Sequence, residues 1–163
     1  MWTLMDSPIG ELRIVEHAGS VTAIEFTPFR ESDGRPRGSR QDDHPVLAET
    51  VRQLTAYFAR DLKEFDLPLA PVGSDFQQRV WEQLVAIGYG ETASYGQVAG
   101  RLGMTNAASR AVGLANGRNP IPIVIPCHRV IGADGTLTGY AGGLGRKRTL
   151  LDLEAADITP ALF

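Results

Sequence analysis

A chain of 163 residues with 43% hydrophobic and 21% charged side chains has the composition of a globular protein, long enough to bury a core as one large domain or two small ones. No stretch approaches ~18 uninterrupted apolar residues and no basic segment precedes an apolar run at the N-terminus, so the expectation is a soluble, cytoplasmic protein with no membrane partner. One cysteine excludes an internal disulfide, a Cys-rich zinc site and an iron–sulfur cluster; His17, His44 and His128 lie far apart, so neither a metal nor a cofactor is expected.

The net charge of −3 hides an uneven distribution. Residues 1–70 carry 8 basic and 12 acidic side chains, a balance of −4. From Ser94 to Arg148 seven basic residues face the single acid Asp134, a balance of +6. A basic segment of this kind attracts polyanions by counterion release, although isolated surface charges are more often merely solvated.

In chain order, Leu12, Ile14, Val21, Ala23, Ile24 and Phe26 alternate with polar residues and predict two short strands joined near Gly19. Arg30 to Asp43 is polar, with Gly and Pro positions, and predicts an exposed loop with no core to join. His44 to Phe65 carries Leu47, Val51, Leu54, Tyr57, Phe58 and Leu62 at helical spacing, an amphipathic helix. The stretch Leu67-Pro-Leu-Ala-Pro-Val-Gly73 then marks a boundary, dividing the chain into domains 1–70 and 71–163.

Beyond it, Ser74-Asp-Phe-Gln77 and Ser94-Tyr-Gly-Gln97 are capping-box signatures. The first opens a helix through Val85; the second opens a short helix ending near Leu102, with Gly103 suited to a left-handed stop. A further helix from Asn106 to Asn116 follows after a few residues, making a helix-turn-helix candidate. Its small residues Ala107, Ala108, Ser109, Ala111, Gly113 and Ala115 permit close approach either to another helix or to a DNA groove, with Arg110 as its one charge.

The stretch Pro120-Ile-Pro-Ile-Val-Ile-Pro-Cys-His-Arg-Val-Ile131 places the only cysteine between a proline and a histidine. A thiol reacts as thiolate and needs a base at neutral pH. His128 is adjacent, but in an extended backbone it points to the opposite side. A carboxylate would orient the imidazole, and Asp134, Asp152, Glu154 and Asp157 are all candidates. Against this stands the reading of Cys127 as a small buried hydrophobe at the end of an Ile121–Ile125 strand. A Cys–His hydrolase is a third reading, but no evident oxyanion donor accompanies it.

Taken together, Pro126-Cys-His-Arg-Val130 with Asn119-Pro120 before it, Arg110-Ala-Val-Gly113 upstream and Gly139-Tyr-Ala-Gly-Gly-Leu144 downstream resemble the O6-alkylguanine-DNA alkyltransferase family. The resemblance extends from about Phe76 to Glu154. It implies an α/β (α+β) protein: a small N-terminal sheet-and-helix domain, then a mostly helical domain with a helix-turn-helix and the active-site cysteine. It implies a DNA-repair enzyme whose Cys127 accepts an alkyl group, once and irreversibly, from O6-alkylguanine, and also O4-alkylthymine, flipped out of double-stranded DNA. In that reading His128 deprotonates Cys127 through a water, Glu154 orients His128, and Asn119 is the hinge to an active-site strand. Tyr95 bonds guanine N3, Arg110 fills the vacated stack, and Ala107, Ala108 and Gly113 lie at the DNA. Tyr95, Val130, Tyr140, Ala141 and Gly142 form the substrate pocket. The implied protein is a monomer, with cooperative clusters on DNA left open. The chain departs from the family at Gly88-Tyr89-Gly90, where a proline is common, and at Ala141, where some members have serine; between Tyr95 and Arg110 it is one residue longer than some relatives. The competing reading from another class is a non-catalytic helix-turn-helix sensor or regulator.

Overall fold

The computed structural model describes residues 1–30 and 37–158. It divides into two compact units, Met1–Val72 and Gly73–Phe163.

In the first unit β1 (Trp2–Met5), β2 (Leu12–His17) and β3 (Ser20–Phe26) form an antiparallel sheet in the order β1-β2-β3. The hairpin closes through Ala18 (φ 50°) and Gly19 (φ 86°), both left-handed, as a two-residue turn that follows strand twist requires. The sequence pattern predicts only β2 and β3. β1 is four residues long, too short to show a period, and is held by its register with β2, Trp2 opposite Val15 and Met5 opposite Leu12. The second half of the expected loop is exposed from Gly38 to Asp43 and is tied to the sheet edge, where the Ser39 carbonyl accepts from Trp2 N–H and Gln41 N–H donates to the Trp2 carbonyl; residues 31–36 of that loop lie outside the described residues.

Helix α1 (Pro45–Phe58) packs Leu47, Leu54 and Tyr57 against Leu12, Ile14 and Val21, all fully buried. It ends seven residues before the expected Phe65. Arg60 takes a left-handed φ of 63°, and the Asp61 N–H returns to the Ala56 carbonyl. This stop has no glycine to announce it, so the apolar period alone overruns it. Gln53 then ties the departing chain, donating to the Asp66 carbonyl and accepting from its N–H, both at 2.9 Å.

In the second unit both predicted capping boxes form. Ser74 caps α2 (Asp75–Val85) and Ser94 caps α3 (Tyr95–Arg101), each with its reciprocal glutamine bond. Gly103 (φ 74°) turns the chain, and the expected 106–116 helix starts as a 3₁₀ turn (Asn106–Ala108) before α4 (Ser109–Gly117). The α3 backbone approaches the start of this turn so closely that a Cβ on Gly96 would stand 2.2 Å from Asn106 Oδ1. Trp81 of α2 donates its indole N–H to the Ala115 carbonyl at 2.9 Å, fixing α4 from below. A two-residue parallel pair, β4 (Ala93–Ser94) with β5 (Val130–Ile131), and helix α5 (Leu144–Ile158) complete the unit.

No strand leads to the cysteine, in contrast to both the buried-strand and the active-site-strand expectations. Prolines 120, 122 and 126 remove ladder donors, and Ile123 sits at φ 75°, a region costly for a β-branched residue. The segment is a compact buried turn closed by Ile125 N–H to Ile121 O at 2.9 Å.

Candidate active site

Cys127 follows that turn. Pro126 (φ −80°, ψ 65°) forms an inverse γ-turn in which the Cys127 N–H meets the Ile125 carbonyl at 2.8 Å, and Cys127–Arg129 continue as one 3₁₀ turn. The extended geometry that would have set Cys127 and His128 on opposite sides is therefore absent. Asn119, at the end of α4, holds the turn from both sides: its Nδ2 donates to Ile125 O at 2.7 Å and its Oδ1 accepts from Ile121 N–H at 3.0 Å. Asn116 donates to the Cys127 carbonyl at 3.3 Å.

His128 is fully buried and its Nε2 lies 2.7 Å from Glu154 Oε2. Among the four carboxylates left open above, only Glu154 has this contact among the described contacts; it also takes both arms of Arg129, Nε to Oε1 at 2.9 Å and Nη2 to Oε2 at 3.1 Å. Arg129 spends Nη1 on the Ile87 carbonyl at 2.7 Å. Burial alone would push Glu154 upward, but His128 and Arg129 hold it down at about 2. An anionic Glu154 keeps the proton on Nε2 and leaves Nδ1 as the basic nitrogen; Nδ1 is buried with no hydrogen-bond partner in the protein. Burial lowers the His128 pKa, so the ring is neutral and able to accept. Burial also pushes the Cys127 thiol up to about 11, against the opposing pull of Asn119, Lys147 and Tyr140. At rest the thiol is protonated beside a neutral base.

Next to this centre runs a groove of about 600 Å³, lined by Tyr95, Arg110, Gly113, Thr138, Tyr140 and Ala141 among others. Tyr140 is common to both, since it lines the groove and acts to lower the Cys127 pKa. Arg110 is exposed on α4. Val130 and Gly142 do not line the groove: Val130 is buried with its carbonyl accepting from Lys147, and the Gly142 carbonyl accepts from Arg146. Ala107 and Ala108 stand outside it, in the 3₁₀ turn before α4.

Three polar residues of this centre escape the sequence reading of roles: Arg129, Asn116 and Lys147. Lys147 is fully buried and donates to Val130 O at 2.6 Å and Thr138 O at 2.8 Å. A signal existed, because Lys147, Leu150 and Glu154 are spaced i, i+3, i+7 and share the inner face of α5. A charge at both ends of a buried stripe marks groups kept for a reason other than packing.

Comparison with known proteins identifies the family. Residues 75–156 match the family model described as 6-O-methylguanine DNA methyltransferase, DNA binding domain, and residues 1–71 match its ribonuclease-like domain. The methylated-DNA–protein-cysteine methyltransferase of Mycobacterium tuberculosis is 50% identical over 95% of this chain and 94% of its own, and that of Methanosarcina acetivorans is 46% identical over 95% and 98%. Among solved structures, Mycobacterium tuberculosis OGT in complex with DNA superimposes with a TM-score of 0.83 at 47% identity, covering 96% of this chain and 93% of that one. With both halves matched in order, this chain belongs to the 6-O-methylguanine DNA methyltransferase family.

Proposed function

We propose that this protein is a cytoplasmic DNA-repair alkyltransferase that moves an alkyl group from O6 of guanine, or O4 of thymine, in duplex DNA to Cys127. The observation that carries the reading is the unpartnered, buried Nδ1 of His128 next in sequence to the thiol, with Nε2 locked on Glu154. The thiol proton passes to Nδ1 through a bridging water as the sulfur attacks the alkyl carbon. The S–C bond forms while the C–O6 bond breaks in line. Guanine leaves as a neutral base because Tyr95 passes its proton to N3, and the proton taken up by His128 is released through solvent to restore the Tyr95 hydroxyl. The resulting thioether has no easy route back, so each molecule acts once, as a monomer.

Because O6 is stacked inside the duplex, the nucleotide must be extruded, at a cost of a few kcal/mol. The exposed Arg110 on α4 is suited to occupy the vacated stack, and the groove beside it is suited to the flipped base. The small residues before and along α4, from Ala107 and Ala108 to Gly113, allow that helix to lie close to the minor groove, whose degenerate readout suits a protein acting in any sequence context.

The test is mass spectrometry of the intact protein and its Cys127 peptide after incubation with a duplex carrying one O6-methylguanine. One added methyl on that peptide, saturating at one per protein, is expected. Binding without an adduct would replace the reading by a damage sensor, and repeated turnover by a hydrolase.

A further inference from the structure

We propose that Thr138 is the positioning residue that aims the Tyr95 hydroxyl at the extruded base. The inference rests on the reading of Tyr95 as donor to the base, and starts from how little freedom the phenol has. Its ring lies along α4 at Gly113, where a Cβ would stand 3.6 Å from ring carbons Cδ1 and Cε1, an ordinary contact. Its far end is met from the opposite wall of the groove, where Thr138 Oγ1 donates to Tyr95 Oη at 2.9 Å.

The direction of that bond matters. A phenol oxygen has one O–H and two lone pairs. Either hydroxyl of the pair can donate; with an acceptor facing Tyr95, the arrangement in which Thr138 donates leaves the Tyr95 proton available to it, and Tyr95 and Thr138 both line the groove. A hydroxyl that donates to a phenol also polarises it, making its own O–H a somewhat better donor through hydrogen-bond cooperativity.

Thr138 can serve as an anchor because its backbone is anchored. The Lys147 ammonium, buried on α5, bonds the Thr138 carbonyl at 2.8 Å and the Val130 carbonyl at 2.6 Å, stapling the 132–143 loop to the strand that follows the active-site turn. The chain of contacts therefore runs from α5 through Thr138 to the first residue of α3. It ties the strand that follows the thiol's turn to the phenol that faces the base. In the sequence Thr138 is an unremarkable polar loop residue, and only its neighbour Gly139 belongs to the motif.

The experiment is single-turnover alkyl transfer on duplexes carrying O6-methylguanine or its 3-deaza analogue, in which N3 is replaced by C–H, with DNA affinity and melting temperature measured alongside. The variants are Thr138→Val, which keeps the shape and loses the hydroxyl, Thr138→Ser, which keeps the hydroxyl, Tyr95→Phe, and the Thr138→Val/Tyr95→Phe pair. Thr138→Val is expected to slow transfer about 3- to 10-fold, the kinetic equivalent of one neutral hydrogen bond, with Thr138→Ser close to the parent. The effect should vanish in the Tyr95→Phe background and on the 3-deaza substrate, because the acting hydroxyl or its acceptor is then gone. Equal slowing in both backgrounds, or no slowing by Thr138→Val while Tyr95→Phe is slow, would overturn the role of Thr138 alone. A Tyr95→Phe protein as fast as the parent would overturn the role of Tyr95, and this proposal with it.

Discussion

Two carboxylates in this chain occupy comparable surroundings, and the comparison separates structure from chemistry. Glu25, in the first unit, is gripped by Arg13 and Arg37 through Nε and Nη2 on each side, at 2.8 to 3.3 Å. Glu154, in the second, is gripped by Arg129 and His128. Burial acts to raise both and their cationic or hydrogen-bonding partners bring both below the ordinary carboxylate range. A lowered pKa therefore does not distinguish them.

What differs is the second partner and what it has left over. Around Glu25 both partners are arginines, permanently charged, and the Arg13 guanidinium also lies 4.7 Å from the Phe29 ring centroid, a cation–π contact. Nothing in that cluster changes protonation near neutral pH. Around Glu154 one partner is an imidazole whose other nitrogen has no protein partner, and the preceding residue of the same turn carries the thiol. A satisfied ion-pair network stabilises; one that leaves a buried acceptor unspent next in sequence to a thiol has the groups a proton transfer would need.

The sharpest way to break this comparison is at the nucleophile. Cys127→Ala should abolish transfer while leaving duplex binding largely intact, as gel shift and adduct analysis together would reveal; loss of both would mean the thiol holds the fold. Next is Glu154→Gln. It frees the His128 tautomer and strands a buried Arg129, so transfer should fall about 10²-fold or more and stability by about 3–5 kcal/mol in denaturant titration. An unchanged transfer rate would remove Glu154 from the proton path.

Acid sharpens the same contrast without mutation. Glu154 is ionised in the fold down to about 2 and would protonate near 4.5 in the unfolded chain, so its stabilisation is present above 4.5 and is lost as pH falls from there toward 2, on the order of 3 kcal/mol in all. His128, kept neutral by burial, adds to the loss below its ordinary value of 6.5, where only the unfolded chain takes up the proton. Melting temperature against pH should fall in this window, and the Glu154→Gln protein should lack most of the carboxylate part.

Glu25→Gln is the control from the other unit. It should cost about 1–3 kcal/mol of stability and leave the pH dependence of transfer unchanged. A shifted pH profile would mean that the Glu25 cluster takes part in the chemistry. The smallest effect is expected at Arg110. Arg110→Ala should slow repair of duplex several-fold more than reaction with a free alkylated base; equal slowing of both would reject its role in holding the extruded state.

Much of the helical scaffold was legible locally. Ser74 with Gln77, Ser94 with Gln97 and Gly103 each act within a single turn of chain, so their signals are complete in the sequence. The missed features depend on partners far along the chain. Strand β1 exists through its pairing with β2, α1 stops at a left-handed arginine, and the prolines with Ile123 convert an apolar run that reads as a strand into a turn.

The sequence by itself determined that the chain has one thiol and which family its motifs belong to, because a unique cysteine and a run of linked motifs are one-dimensional facts. Only the tertiary structure decided how that thiol is served. Glu154 is 26 residues from His128, Arg129 reaches back 42 residues to the Ile87 carbonyl, and Thr138 meets Tyr95 across 43. Burial sets the protonation of Cys127 and His128, and the His128 and Arg129 partners override it at Glu154; both are properties of the folded environment and of no residue taken alone.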